Sequence, residues 1–332
     1  MRSTGERFRL LAIAARLAAA AAVAVVAATA ARAAPAAAGA PTGVPASPTP
    51  AATYVGANTC RGCHPIEADH WTPTVHGRLF AGGPRSELQA RGCEACHGPG
   101  SAHVADPRDP AAIVSFTHGS AAAVESQNAM CLECHAGGPR IHWVGSVHET
   151  ARLGCSDCHN PMAETSARGL LARRSVSETC FQCHPAQRIE FGKRSHMPLL
   201  EGKIACSDCH EPHGSSTDPL LRADSVTQLC TTCHADKRGP FLWEHAPVRE
   251  SCSNCHLPHG SSHPALLTAA VPGLCQQCHS DIGGFGHPND LLTRGNMASG
   301  AQPDVRLLNR GCVNCHAQIH GSNSPSGVRV PR

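Results

Sequence analysis

The sequence predicts a chain of short α-helices and irregular segments with little or no β-sheet. Three observations predict this fold class. Proline (26) and glycine (31) are frequent among the 332 residues and interrupt most periodic runs. Aromatic residues make up only 3% of the chain, which is too few for the large apolar core that a chain of this length usually buries. Finally, all twenty cysteines fall into one short motif that recurs ten times, at intervals as short as 22 residues.

The recurring motif is Cys-x-x-Cys-His, as at residues 252–256. This is the attachment pattern of c-type haem. Each thiol adds to one haem vinyl group, and the adjacent histidine is thereby placed under the iron as its proximal axial ligand. The motif predicts a multihaem cytochrome c in which the polypeptide wraps a chain of ten haems, and the porphyrins fill the interior in place of an apolar core.

The predicted thioether residues are the two cysteines of each motif: Cys60, Cys63, Cys93, Cys96, Cys131, Cys134, Cys155, Cys158, Cys180, Cys183, Cys206, Cys209, Cys230, Cys233, Cys252, Cys255, Cys275, Cys278, Cys312 and Cys315. The predicted proximal ligands are His64, His97, His135, His159, His184, His210, His234, His256, His279 and His316.

Other uses of paired cysteines do not account for the histidine. Zinc ribbons use Cys-x-x-Cys pairs without a histidine at the next position. With 23 histidines in 332 residues, ten chance placements there have a probability on the order of 10^-12. A thioredoxin-like redox pair is expected once rather than ten times. A disulfide framework, typical of small secreted domains, does not require the histidine either.

The motifs alternate between two sequence contexts, so the repeating unit is a two-haem module present five times. Even-numbered motifs include Cys155-Ser156-Asp157-Cys158-His159 and its near-copy at 206–210, whereas odd-numbered motifs follow pairs such as Glu178-Thr179. A repeat of this kind means that each module is one structural unit.

Each module also holds spare histidines that could bind the second face of an iron. One follows an aromatic residue between the two motifs, and another follows most even motifs. The candidate distal ligands are His76, His103, His148, His196, His213, His245, His259, His287 and His320, with Met162 in the tenth place.

Met162 is a candidate because of repeat register. Asn160-Pro161-Met162 stands where Glu211-Pro212-His213 stands one module later. A thioether ligand stabilises ferrous haem and raises its potential. The alternative is that Met162 only fills space, in which case His70, His118, His142 or His263 supplies the sixth ligand. The sequence does not assign any distal ligand to a particular iron.

The N-terminus carries targeting features. Residues 1–33 combine arginines, an alanine- and valine-rich run and the small-x-small site Ala31-Arg32-Ala33, which predicts a signal peptide cleaved after Ala33. The alternative is an uncleaved anchor, although the apolar run is short for a membrane span. Residues 34–53, rich in alanine and proline, are predicted to be an extended linker.

The net charge argues against nucleic acid as a partner. The leader holds five arginines and one glutamate, so removing its +4 from the total of +3 leaves −1. The basic balance therefore belongs to targeting rather than to a nucleic-acid surface.

Two functions from different classes compete at this point. If every iron has two protein ligands, no haem can bind a substrate and the chain only conducts electrons. The alternative is a terminal multihaem reductase of a small oxyanion such as nitrite, which needs an iron with an open sixth position. Known nitrite reductases of this type have lysine in the attachment motif; no Cys-x-x-Cys-Lys occurs here. This favours a protein that is not an enzyme.

Specific runs resemble a known family. These are KRGPFLWEH at 237–245, CSNCHLPHG at 252–260, LCQQCH at 274–279 and HGSN at 320–323. With the motif count and order, the chain from Tyr54 to the C-terminus resembles the MtrA/DmsE/PioA-type decahaem cytochromes. Distal ligands in that family are usually histidines, so Met162 departs from its pattern.

The resemblance implies a periplasmic decahaem domain over 54–332, built as two pentahaem halves at about 54–190 and 191–332. It implies insertion into an outer-membrane β-barrel porin, where the protein carries electrons for extracellular electron transfer, in iron reduction or ferrous iron oxidation. Implied partners are that porin, an inner-membrane or periplasmic cytochrome as donor or acceptor, and an outer-surface multihaem cytochrome or reductase.

Overall fold

The computed structural model describes residues 51–117, 120–279, 312–314 and 316–325. Within these ranges the chain consists of short helices joined by turns, with four two-residue strands. This confirms the predicted fold class, a mostly irregular chain with short α-helices and little β-sheet.

The α-helices in the described part of the chain are at most 12 residues long. They are Ala57–Cys63, Pro65–Trp71, Val75–Gly82, Glu87–Ala90, Glu94–His97, Ser101–Ala105, Val124–His135, Val147–Thr150, Cys155–Cys158, Val176–Cys180, Pro185–Phe191, Cys206–Cys209, Val226–Thr231, Ala246–Glu250 and Gly273–Gln276. Short 3-10 helices lie at Gly138–Arg140, Ala235–Lys237, Cys252–Asn254, Pro264–Leu266 and Cys312–Asn314.

The strands form two small antiparallel ladders between distant segments. Strand β1 (Ser195–His196) pairs with β3 (Gly260–Ser261), with Ser195 opposite Ser261. Strand β2 (Trp243–Glu244) pairs with β4 (Gly321–Ser322), with Trp243 opposite Ser322. Each ladder joins the segment before one even motif to the turn after a later even motif, so the ladders connect neighbouring modules.

Serine caps begin the helices that lead into two odd motifs. Ser175 accepts a hydrogen bond from the amide of Glu178, and Ser225 accepts one from the amide of Gln228, both at 3.1 Å. Side-chain acceptors of this kind satisfy amides that the first helical turn leaves unpaired. The helices end at Cys180 and Thr231.

After two of the odd motifs, the motif histidine begins another helix. His64 and His184 are the N-caps of the helices Pro65–Trp71 and Pro185–Phe191. Proline suits the first helical position because its missing N–H has no intrahelical partner there. The third odd motif differs, because it lies inside the helix Val124–His135.

Few apolar side chains are buried. Among the described residues the buried hydrophobic ones are Trp71, Ala95, Trp143, Phe191, Leu199 and Leu221. Three of these, Trp71, Trp143 and Phe191, are the aromatic residues that precede His76, His148 and His196. The buried aromatic thus anchors the segment that carries a candidate distal ligand.

Several sequence predictions fall outside the described residues. They are the signal peptide at 1–33, all but the last three residues of the 34–53 linker, His118, His287 and Cys315. The described residues from Ala52 onward belong to one structural unit. In the part of the chain that the structure describes, no helix combines the length and apolar character needed to span a bilayer.

Candidate haem-binding sites

Four of the five proximal histidines of the even motifs are held in one tautomer by the backbone. In each, Nδ1 lies within hydrogen-bond distance of a carbonyl oxygen further along the chain. The pairs are His97 with Val114 (2.8 Å), His159 with Gly169 (2.7 Å), His210 with Pro219 (2.9 Å) and His256 with Ala265 (2.8 Å). A carbonyl can only accept, so Nδ1 carries the proton and Nε2 is left to bind a metal.

Each of three even motifs is bonded through its backbone to a pair of leucines further along the chain. His159, His210 and His256 form β-bridges with Leu171, Leu221 and Leu267. The preceding leucines, Leu170, Leu220 and Leu266, have positive φ angles of 47°, 61° and 57°. This conformation turns the chain, and the carbonyl of each leucine accepts a hydrogen bond of 2.6–2.7 Å from the amide of the residue after the motif histidine. This signal is visible in the sequence as a Leu-Leu pair that begins 10 or 11 residues after the histidine of three even motifs, but it was not used in the prediction above.

Burial favours the neutral form of several proposed ligands. Desolvation lowers the pKa of His97, His135 and His159 below that of an ordinary histidine. Desolvation likewise lowers the pKa of the candidate distal ligands His76 and His320. A neutral imidazole is the form that binds metals.

Seven proximal histidines face a candidate distal histidine. The ring centroids are 5.9–6.3 Å apart in the pairs His64–His103, His76–His135, His148–His184, His159–His213, His210–His259, His245–His279 and His256–His320. Metal–imidazole bonds of about 2.0 Å and a ring radius of about 1.2 Å place two trans imidazole centroids about 6.4 Å apart. The spacing therefore fits one iron between each pair.

The pairing follows a rule across the modules. In the pairs with His135, His184 and His279, the odd motif is faced by a histidine of the preceding module. In the pairs with His159, His210 and His256, the even motif is faced by the histidine three or four positions after the even motif of the following module. At the N-terminal end, where no module precedes, His64 faces His103 of its own module.

The distal histidines differ in what Nδ1 contacts. Nδ1 of His148 lies 2.7 Å from the carbonyl oxygen of Pro212, and Nδ1 of His245 lies 2.9 Å from that of Ile319. His213 and His259 instead contact carboxylates. The Nδ1 atoms of His76 and His103 are buried without a hydrogen-bond partner.

Three distal candidates have no ring pair in the described residues. His196 contacts the Lys193 carbonyl through Nδ1 (2.6 Å) and Glu201 through Nε2 (3.0 Å); the bond to Glu201 raises the His196 pKa. Met162 is half-buried in the turn after its motif, and its amide donates to Asn160. His287 lies outside the described residues.

The cysteines of successive motifs adjoin one another. In each module the first thiol of the odd motif interacts with the first thiol of the even motif, in the pairs Cys60–Cys93, Cys131–Cys155, Cys180–Cys206, Cys230–Cys252 and Cys275–Cys312. Between modules the second thiols interact electrostatically, in the pairs Cys96–Cys134, Cys158–Cys183, Cys209–Cys233 and Cys255–Cys278. None of the nineteen described cysteines forms a disulfide.

Two buried helix caps, which were not predicted from the sequence, position two of the candidate distal histidines. Thr74 and Ser146 cap the helices that carry His76 and His148, by accepting the amides of Gly77 (3.0 Å) and Glu149 (3.1 Å). Both caps are buried. The signal was present as Trp-x-x-Ser/Thr-x-His at 71–76 and 143–148.

Comparisons with known proteins agree with this geometry. A family model described as a doubled CXXCH motif matches residues 196–239 and 245–284. A model described as cytochrome c-type protein NrfB-like matches residues 93–176. The chain is 41% identical over 279 residues to multiheme cytochrome MtrA of Shewanella baltica (strain OS185), covering 83% of this chain and 81% of that protein.

Proposed function

Because this chain belongs to the MtrA family of multihaem cytochromes, a group of electron-transfer proteins, we propose that it conducts electrons across the outer membrane through ten covalently bound haems. The observation that carries the proposal is the set of seven histidine pairs with centroids 5.9–6.3 Å apart. An iron with an imidazole on both faces has no position for a substrate and can only exchange electrons.

The pairing rule extends to the three remaining irons. His234, in an odd motif, takes its ligand from the preceding module, which offers His196; ligation requires Nε2 of His196 to leave Glu201. For His316 the candidate left over is His287 of its own module, just as His64 pairs with His103 of its own module. This completes nine bis-histidine haems.

By the same rule Met162 is the sixth ligand of the iron bound by His97. His213 and His259 lie three residues after an even proximal histidine and His320 lies four residues after one, and each faces the preceding even proximal histidine. Met162 lies three residues after His159, and the preceding even proximal histidine is His97. The ring contact of His97 is with Phe116, at 5.4 Å, rather than with a histidine.

The order of conduction follows from the contacts between motifs. Haem supplies the redox chemistry, and the chain's residues set its spacing and its axial ligands. The first cysteines join the two motifs of each module, and the second cysteines join consecutive modules. Electrons therefore pass through the ten haems in sequence order.

We propose that the protein is exported by its signal peptide and works in the periplasm inside an outer-membrane β-barrel porin. Its described surface offers no apolar span, so a sheath is needed to carry the haem chain through lipid. A periplasmic or inner-membrane cytochrome would exchange electrons at one end, and an outer-surface multihaem cytochrome or reductase at the other.

Two measurements test the proposal. Intact-protein mass spectrometry of the exported form should give the polypeptide mass without residues 1–33 plus ten haems; a mass with only a few haems would overturn it. Solubilised outer membranes should yield the cytochrome bound to a porin, and a cytochrome that elutes alone would contradict the location.

A multihaem reductase remains the competing function, and spectroscopy separates the two. Nine bis-histidine haems and one His/Met haem are all low-spin. A high-spin ferric signal in the resting protein would show an open iron position and favour the reductase.

A further inference from the structure

We propose that Glu211 and Glu190 are positioning residues that lower the reduction potentials of two central haems, those bound by His159 and His210. The inference rests on the axial ligation proposed above. It adds to the proposed function by assigning the lowest reduction potentials to these two haems.

Glu211 acts on the distal ligand of the His159 iron. Its Oε1 lies 3.1 Å from Nδ1 of His213, whose ring centroid is 5.9 Å from that of His159 and nearly parallel to it, at 12°. Glu211 and His213 share one turn, separated only by Pro212. The corresponding residues of the other modules are Asn160, Leu257 and Gln318, so this turn carries a carboxylate in one module alone.

Glu190 acts on the distal ligand of the His210 iron from a distant part of the sequence. Its Oε2 lies 3.2 Å from Nδ1 of His259, and the two rings of His259 and His210 are 6.1 Å apart. Lys193 lies 3.9 Å from the other oxygen of Glu190. The backbone holds this contact, because Gly260 packs directly on the carbonyl of Glu190: a Cβ at 260 would be 1.9 Å from that oxygen.

The remaining distal ligands provide an internal comparison. His148 and His245 donate Nδ1–H to neutral carbonyl oxygens, and His76 and His103 donate to nothing. A carboxylate draws the Nδ1 proton more strongly than a carbonyl does, so the imidazole becomes a more basic ligand. A more basic ligand stabilises ferric over ferrous iron and lowers the potential.

The experiment uses the full-length protein carrying Glu190→Gln, Glu211→Gln or both. Each variant should keep ten haems by intact mass and the low-spin spectrum of the parent. In a spectroelectrochemical titration, one tenth of the haem absorbance change should move to a more positive potential in each single variant, and two tenths in the double variant. We expect about a tenfold change in the ferric-to-ferrous ratio at fixed potential, which is 59 mV for a one-electron couple.

Glu125→Gln is the matched control, since Glu125 pairs with Arg152 rather than with a histidine, and its titration should match the parent. If both glutamine variants titrate like the parent with ten low-spin haems, the inference is overturned while the conduit stands. If the parent itself lacks low-spin bis-histidine signals, the ligation scheme falls and the inference with it.

Discussion

At the residue scale, Glu94 ties the start of the folded chain to a haem motif. This side chain is 2% exposed and accepts hydrogen bonds from the amides of Val55 (2.9 Å), Gly56 (2.8 Å) and Gly100 (2.8 Å). Burial alone would raise the pKa of Glu94, but the three amides and the nearby Arg91 together lower it below the ordinary value. The carboxylate form therefore stabilises the folded N-terminal segment.

The lowered pKa predicts an acid-sensitive anchor. A carboxyl group whose pKa is depressed by folding stabilises the fold above its unfolded pKa, about 4.3, and loses that contribution as the pH falls through its folded pKa. Hydrogen–deuterium exchange at Val55 and Gly56, corrected for intrinsic rates, should stay slow from neutral pH down to about 5 and rise only in stronger acid.

Glu94→Gln should open the same segment at neutral pH. The amide nitrogen replaces one of the two acceptor oxygens, so at least one of the three backbone amides faces a donor, at a cost of about 2 kcal/mol. Limited proteolysis with mass spectrometry should show faster cleavage near residues 52–56. Glu133→Gln, at an exposed helical position, should cleave like the parent, and equal cleavage of both variants would contradict the anchor.

Met162 gives the second prediction at this scale. Magnetic circular dichroism of the oxidised protein should show a methionine-to-ferric charge-transfer band, which Met162→His removes. The same substitution should lower the potential of one haem, because imidazole stabilises ferric iron more than a thioether does. Met197→Leu should leave the band unchanged; a band that survives in Met162→His would rule out this ligand.

At this scale, the contacts that could be predicted from the sequence are those between residues close together along the chain. The haem cysteines and proximal histidines were predicted because they lie within five residues. The contact between Glu190 and His259 spans 69 residues and has no sequence pattern. The register of Met162 with His213 was visible in the sequence, but the iron that each serves became apparent only from the ring pairs.

At the scale of elements, the turn after an even motif has no room for a side chain. Gly214 and Gly260 follow the distal ligands His213 and His259. A Cβ at these glycines would lie 2.0 Å from the carbonyl oxygen of His142 and 1.9 Å from that of Glu190, respectively. The neighbouring atoms are backbone and cannot rotate away, so the close approach holds each distal histidine in place.

This packing predicts that Gly260→Ala separates two modules. The added methyl group would push β3 away from the helix Pro185–Phe191, at a cost of about 1–3 kcal/mol, and move His259 from the His210 iron. Thermal unfolding should begin at lower temperature, and the oxidised spectrum should gain a high-spin component. Gly82→Ala is the control, since nothing lies within 4 Å of a Cβ there; a low-spin spectrum in Gly260→Ala would contradict this role.

The elements themselves were partly predictable. The helices at 176–180 and 226–231 follow from their serine caps and apolar spacing. The helix Val124–His135 has no such signal, because its N-cap makes no side-chain hydrogen bond. Its buried side chains are the polar Gln127 and Asn128, and Asn128 bonds the carbonyl of Leu153 and the amide of Cys155.

At the scale of the whole molecule, conduction depends on every haem being present. Cys230→Ala with Cys233→Ala removes the attachment of the seventh haem, so the mass should fall by one haem. Electron transfer across liposomes that contain the cytochrome with the proposed porin should drop strongly, because the gap between neighbouring haems doubles. Chemical reduction of the nine remaining haems in solution should continue.

The control for this prediction lies inside the same motif. Thr231→Ser changes a residue between the two cysteines without removing a thiol, and it should conduct like the parent. Conduction that persists without the seventh haem would contradict a single path in sequence order.

Ligand exchange between neighbouring modules decides how such a chain can change in length. An interior module receives ligands from both neighbours and gives ligands to both, so duplicating one leaves every iron with two ligands and extends the path by two haems. The first and last modules must each complete one iron from their own residues, so deleting either leaves its neighbour with an open iron. Engineered or evolving versions should therefore lengthen from the middle, in steps of two haems.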